Sequence, residues 1–287
     1  MTAPASRATA TEATAPGLGA DPTAQRPALE SGLSACRDEL GAIGDELGDP
    51  TVRQFLERGK LLRARLVFVA GIACHGEPRS LLRSAVAVEL LHAASLLHDD
   101  LIDGEPERRG LPALHATAGA STAVVVGDYL VVRAFAALSE PGAENSFPTA
   151  VATLADAGLR CCRGELAEIS DCARTATAEY IDLARAKTGS LFAAATRLGA
   201  IAGGAPRAAV AEFGSFGEWF GVAYQASDDL ADGLPSSLTP LKSGELRDVR
   251  DRARDELLAA LARLSRSFDV QPLEASVVGA LDAIGSD

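Results

Sequence analysis

Lysine is almost missing from this chain. Of 27 basic residues only Lys60, Lys187 and Lys242 are lysines, so each marks a point where a compact ammonium stands against a strong preference for arginine. Histidine is nearly as sparse, and three of the four (His92, His98, His115) cluster around one stretch of sequence. The five cysteines, at 36, 74, 161, 162 and 172, lack any metal-type spacing. Cys161 and Cys162 are adjacent in helix-like sequence, which points to reduced thiols. No apolar run reaches the roughly 18 residues of a membrane span. No basic-then-apolar segment opens the chain, so the expectation is a soluble, cytoplasmic protein without a transmembrane segment. Strand-type alternation is nearly absent, which leaves an all-α fold. The net charge of −12 argues against a nucleic-acid partner.

What is present is a doubled acidic device. The run Glu89-Leu-Leu-His-Ala-Ala-Ser-Leu-Leu-His-Asp-Asp-Leu-Ile-Asp103 is an apolar helix ending in Asp99, Asp100 and Asp103, with Arg108 and Arg109 just beyond. At about 100° per residue, Asp99 and Asp103 lie about 40° apart on one face, with Asp100 about 60° further round and His92 close to the line of Asp99. Such a hard-oxygen cluster suits Mg²⁺. The same spacing returns as Asp228, Asp229 and Asp232, again at the end of an apolar helical run. Two facing acidic clusters repel unless cations stand between them. The natural bridge is a diphosphate, since Mg²⁺ binds through a few carboxylates plus substrate phosphates.

The 287 residues, 47% of them hydrophobic, suffice for one large core. Residues 1–28 are rich in Ala, Thr, Pro and Gly and read as a disordered tail, leaving 29–287 as a single domain. Helices are expected at about Ala28–Leu47, Thr51–Gly59, a stretch including Leu66–Ile72, Arg79–Asp103, Gly119–Leu138, Ala150–Ser170, Ala178–Leu198 with Thr177 as cap, Ala208–Asp232, Leu246–Phe268 and Pro272–Ile284. Gly104–Pro112 and Pro141–Phe147 read as loops. Lys60 and Arg63 share a helix face and form either a charged helix start or a phosphate-binding patch. Arg108 and Arg109 either fold over the acids or balance Glu105 and Glu107. Lys187 and Thr188, beside Gly189, either reach a phosphate or sit in solvent.

Taken together, His92 to His115, Gly127-Asp128, Lys187-Thr188-Gly189 and Gly221 to Asp232 resemble the trans-type isoprenyl (polyprenyl) diphosphate synthases, over roughly residues 55 to 235. The resemblance implies an isoprenoid-synthase-type all-α helical bundle around a deep central cleft, usually a homodimer, with three Mg²⁺. It implies that Asp99, Asp100, Asp103, Asp228, Asp229 and Asp232 hold Mg²⁺ on an allylic diphosphate. Lys60, Arg63 and His92 match the binding site for isopentenyl diphosphate. Arg108 would contact the allylic diphosphate and Arg109 the isopentenyl one, while Lys187, Thr188 and Gln225 line the allylic pocket. The implied reaction is Mg-assisted ionisation of the allylic substrate followed by attack of isopentenyl diphosphate. Counting back from Asp99, Ser95, Leu91 and Val88 lie within about 80° of its direction, and Ala94 is the adjacent small position. None is aromatic, so a product of twenty carbons or more is expected, shortened by Phe at Ser95 or Ala94.

The chain departs from the family pattern after Asp232, where a shortened segment leaves Lys242 as a candidate phosphate contact. Leu61 stands where arginine is frequent, Ala64 replaces a usual proline, and Glu165 stands where glutamine is common. These departures define a second reading, a divergent prenyltransferase or terpene cyclase of secondary metabolism, and a third, a non-catalytic subunit of a heteromeric synthase.

Overall fold

A computed structural model describes residues 22–139, 147–170, 176–231 and 241–276. Its elements are α1 (Pro22–Glu46), α2 (Pro50–Glu57), α3 (Leu62–Ala73), α4 (Pro78–Asp103), β1 (Glu107–Arg108), β2 (Leu111–Pro112), α5 (Leu114–Ala118), α6 (Ala120–Leu138), α7 (Phe147–Ile169), α8 (Thr177–Ala184), a π-helical turn (Arg185–Gly189), α9 (Ser190–Ala202), α10 (Arg207–Ala231) and α11 (Ser243–Leu264). The all-α reading holds: β1 and β2 form a two-residue hairpin within the loop after α4, Glu107 facing Pro112 and Arg108 facing Leu111.

The helix ends follow from local chemistry. Pro50 opens α2, and the Asp49 carboxylate accepts the Thr51 N–H at 2.7 Å, filling one of the unpaired donors of a first turn. Pro78 opens α4, and Gly104 stops it in the left-handed conformation (φ 69°). Helix α1 begins at Pro22, ahead of the boundary at 28 suggested by composition. Thr177 is the first residue of α8 rather than its cap. Ala176 holds the cap position, and its N–H donates to the Glu179 carboxylate at 3.3 Å. The segment expected as one helix to Leu198 is broken by the π turn. The expected loop at 141–147 lies mostly outside the described residues, as does the last expected helix beyond residue 276.

Helix α4 runs through the middle, packed on α3, α6 and α9, while α10 packs on α9 and α11. Phe192, Phe213, Phe216 and Phe220 are fully buried, and Phe192 meets Phe220 edge to face at 4.9 Å. Burying each ring contributes about 2–3 kcal/mol. Close helix approach depends on missing side chains. A Cβ at Gly199 of α9 would stand 2.2 Å from the Val67 carbonyl of α3, and one at Gly221 of α10 would stand 2.6 Å from Gly189.

The expectation that no run reaches membrane-span length is corrected, while that of no transmembrane segment is not overturned. Helices α4 and α6 are each long and apolar enough to cross a membrane by length and composition, with mean hydropathy of 1.4 and 1.5 over their most apolar windows. For α4 the reason is its central place, 72% of that window being buried. Helix α6 is only 33% buried there and leaves Val125 and Val132 about two-thirds exposed.

Candidate functional site

Side chains of α3, α4, α7, α8, α9, α10 and the π turn line a cavity of about 700 Å³, in the range of small-molecule sites. Asp99 of α4 lines one wall, and Asp228 and Asp229 of α10 line another. Lys60, Arg63, His92, Arg108, Arg109, Lys187, Thr188 and Gln225 line the same space. Asp100 and Asp103 do not. Asp103 is exposed, one turn beyond Asp99, and Asp232 lies outside the described residues.

The paired acids of each motif differ in surroundings. Asp100 is 1% exposed, and its Oδ1 accepts Arg108 Nε at 2.6 Å and Nη2 at 2.5 Å. The hairpin carries Arg108 back onto the end of α4 to make this contact. On α10, Asp229 is 6% exposed; its Oδ2 accepts the Tyr180 hydroxyl at 2.6 Å and its Oδ1 the Gln225 amide at 2.9 Å. Thr188 Oγ1 donates to Gln225 Oε1 at 2.7 Å, so a chain of hydrogen bonds runs from the π turn to Asp229. Asp100 and Asp229 are thus held by these neighbours, and Asp99, Asp228 and Asp229 face the cavity.

Lys187 is held between Glu165 (2.6 Å) and Glu168 of α7. Burial works against its charge, but the hydrogen bonds it donates to both carboxylates win and raise its pKa. Asp99 is pushed up to about 7, first by burial and then by Glu165, with Lys187 opposing. Anionic oxygens therefore crowd this side, and a cation arriving there relieves their repulsion. All the donors are carboxylate oxygens, which suits Mg²⁺ over softer metals. Among the described residues no three His, Cys, Asp or Glu side chains converge into a ready metal cage.

The cavity lining also carries basic groups. Arg63 lies over the Phe192 ring at 4.3 Å, with its Nε buried and unpartnered; burial lowers its pKa, and Glu89 opposes this. Glu89 Oε1 also accepts the Ala64 N–H at 2.8 Å, fixing the start of α3. Arg109, at φ 56°, stacks over Phe55 at 5.1 Å and donates to the Phe55 carbonyl at 3.0 Å. Burial and then the arginines 63, 109 and 108 hold the His92 pKa well below 6.5. Since His92 stays neutral only in the folded state, stability is full above that value and falls as pH drops below it, by at most about 1.4 kcal/mol per pH unit. Urea unfolding of His92→Gln between pH 7 and 5 is expected to show a shallower loss than the parent, and an equal loss would refute this assignment.

Sequence reasoning missed Arg58, Glu89, Tyr180 and Cys161 on the cavity wall. Tyr180 precedes Lys187 by about two turns, a spacing that could have been read. Arg58 is the residue that ends α2, and no motif spacing singles it out. Lys242 is exposed, its N–H donating to Glu245 at 2.9 Å, and it does not line the cavity. Gly127 packs against the His98 ring, and Asp128 lies 3.7 Å from His98, outside the cavity wall. Of the tunnel positions, Ser95 lines the cavity but Ala94, Leu91 and Val88 do not. Ala94 is 1% exposed within the core.

Compared with known proteins, residues 45–251 match the polyprenyl synthetase family. A short chain isoprenyl diphosphate synthase of Methanothermobacter thermautotrophicus is 35% identical over 176 residues, which is 61% of this chain and 54% of that protein. Component 2 of the heptaprenyl diphosphate synthase of Geobacillus stearothermophilus is 32% identical over 280 residues, covering 89% of this chain and 86% of that one. The crystal structure of a geranyltranstransferase from Thermotoga maritima superposes with a TM-score of 0.70 at 27% identity, covering 90% of this chain and 96% of that one. The matched segment thus spans about half the length of the first relative and most of the other two.

Proposed function

Because the chain belongs to the polyprenyl synthetase family, we propose that it is a trans-prenyltransferase joining isopentenyl diphosphate to an allylic diphosphate to give a polyprenyl diphosphate of twenty carbons or more. The observation carrying this reading is that Asp99 and Asp228, from separate helices, line one cavity together with Lys60, Arg63, His92 and Arg109. In this reading Asp99, Asp103 and Asp228 hold Mg²⁺, three ions per site, with Asp232 a further ligand. Asp100 and Asp229 orient the motifs through Arg108, Tyr180 and Gln225. When bound, the metal neutralises charge growing on the departing diphosphate.

The chain's own groups do the rest. Lys187, Thr188 and Arg108 bind the allylic diphosphate and stabilise it as it leaves. The C1–O bond breaks with its electron pair on oxygen. The allyl cation then lies against Leu96, Leu191, Phe192 and Tyr224, which exclude water. Arg63, Lys60, His92 and Arg109 hold isopentenyl diphosphate so that its double bond attacks C1. The proton lost in restoring a double bond passes to the released diphosphate. The test is incubation with Mg²⁺, isopentenyl diphosphate and each of the C5, C10, C15 and C20 allylic diphosphates, with product sizing. Chain extension supports this reading. Cyclic hydrocarbon, or allylic consumption without isopentenyl diphosphate, would replace it with a cyclase.

A homodimer in the cytoplasm belongs to the same proposal. Val125 and Val132 of α6 and Leu159 and Leu166 of α7 are exposed, each pair seven residues apart and so on one helix face. Val125→Asp with Val132→Asp is expected to shift sedimentation from dimer to monomer. A parent that already sediments as a monomer, or one active only with a different subunit, would sink the homodimer.

A further inference from the structure

The π turn at 185–189 carries Lys187 and Thr188 into the cavity, and it is held from behind by groups that never reach that cavity. A π turn widens the backbone spiral and weakens its own hydrogen-bond ladder, so its carbonyls need partners from elsewhere. Two have them: Arg160 Nη2 of α7 donates to the Arg185 carbonyl at 3.3 Å, and Ser190 Oγ donates to the Ala186 carbonyl at 2.6 Å. Arg160 also bonds Glu218 of α10. Arg185 donates to the other oxygen of Glu218 from Nε at 3.0 Å and Nη2 at 2.5 Å. The Glu218 side chain is only 12% exposed. Burial alone would raise its pKa, but the hydrogen bonds from Arg160 and Arg185 bring it below the ordinary carboxylate value. Arg185 further lies over Trp219 at 5.1 Å, as Arg252 of α11 does at 5.9 Å.

This cluster joins α7, the π turn, α10 and α11 at one point. A pair of arginines around one mostly buried carboxylate, with both carboxylate oxygens used, is costly to assemble and to break. None of Arg160, Arg185 or Glu218 lines the cavity. The side chains between them do: Lys187 toward Glu165 and Glu168, and Thr188 toward Gln225. If the turn closed to an ordinary α-helix, one residue would leave the loop and every later side chain would rotate by about 100° relative to those before it. Lys187 and Thr188 could not then both keep their partners.

We propose that Arg160, Arg185 and Glu218 are positioning residues that fix the π turn and so set the affinity of Lys187 and Thr188 for a diphosphate on the acidic side of the cavity. The assignment of that diphosphate to the allylic substrate rests on the reading above. Outer groups that orient ligating side chains typically change affinity by about 10–100-fold when removed. Arg160→Leu and Glu218→Ala are therefore expected to raise KM for the allylic diphosphate about tenfold or more, with KM for isopentenyl diphosphate moving less than about twofold. Arg160→Lys, which keeps a charge and a donor, restores most of the loss.

The same variants are titrated calorimetrically with Mg²⁺ and inorganic pyrophosphate, where Arg160→Leu should bind about tenfold more weakly than the parent and Arg160→Lys within about threefold. Circular dichroism and melting temperature show which variants fold; if Glu218→Ala does not, the two Arg160 variants decide. Unchanged pyrophosphate binding and allylic KM in Arg160→Leu would overturn the proposal, as would an equal rise in both KM values. A parent that binds Mg-pyrophosphate yet condenses no substrate defeats the synthase reading alone, and the titrations still decide this one. A parent that binds no Mg-pyrophosphate defeats both.

Discussion

Asp228→Asn is expected to lower kcat/KM by about a thousandfold or more, and Asp99→Asn by a similar factor, in steady-state assays with Mg²⁺. A thousandfold corresponds to about 4 kcal/mol of lost transition-state stabilisation, the scale of removing a group that steadies developing charge in a water-poor site. Each substitution leaves volume and hydrogen bonding nearly intact while removing the charge that faces the cavity. Asp229→Asn makes the informative contrast. Its carboxylate already accepts from Tyr180 and Gln225, so it acts through geometry, and a loss of about tenfold to a hundredfold is expected. Equal losses at 228 and 229 would refute the division of labour within the motif, and a near-parental Asp228→Asn would remove the acidic centre from the mechanism.

Ser95→Phe is expected to shift the product distribution toward shorter chains, read by chromatography of the dephosphorylated alcohols. Ser95 lies one turn before Asp99 on α4, lines the cavity, and is pinned by its hydroxyl to the His92 carbonyl at 2.9 Å. A phenyl ring there projects into the path of a growing chain. Adding C5 units beyond the ring then requires displacing packed side chains, at about 1–3 kcal/mol, which is about 5- to 150-fold in elongation against release. Ala94→Phe should behave differently. With Ala94 1% exposed in the core, the new ring meets packed protein, and loss of folding stability is expected ahead of any change in product. Identical product lengths from the parent and Ser95→Phe would place the chain's route elsewhere.

Much of the fold was legible because its punctuation is local. Pro50, Pro78 and Gly104 mark helix ends by chemistry that needs no tertiary context. The π turn was not legible. The polar stretch Arg185 to Ser190 lies within Ala178 to Leu198, but the spacing alone does not reveal a single extra residue in a turn. The membrane-length run in α4 is masked in the sequence because Arg83 and Glu89 interrupt it. Both are nearly buried, at 8% and 6%, and the window average still passes. In the site, helical spacing already set Asp100 apart from Asp99 and Asp103. What spacing could not supply was its partner, because Arg108 reaches it only after β1 and β2 fold back. Tyr180 as the partner of Asp229 was hidden for the same reason: the two lie on different helices.

The hairpin after α4 has a thermodynamic consequence. Arg108 is bonded to Asp100 and Arg109 to the Phe55 carbonyl, so both guanidiniums are immobilised by the protein itself. Ordering a free loop on contact would cost about 1–2 kcal/mol per residue. Here that entropy is lost during folding. A ligand entering beside Arg109 should therefore associate without a slow rearrangement phase, and amide exchange across Glu107–Pro112 should be already retarded in the unliganded protein.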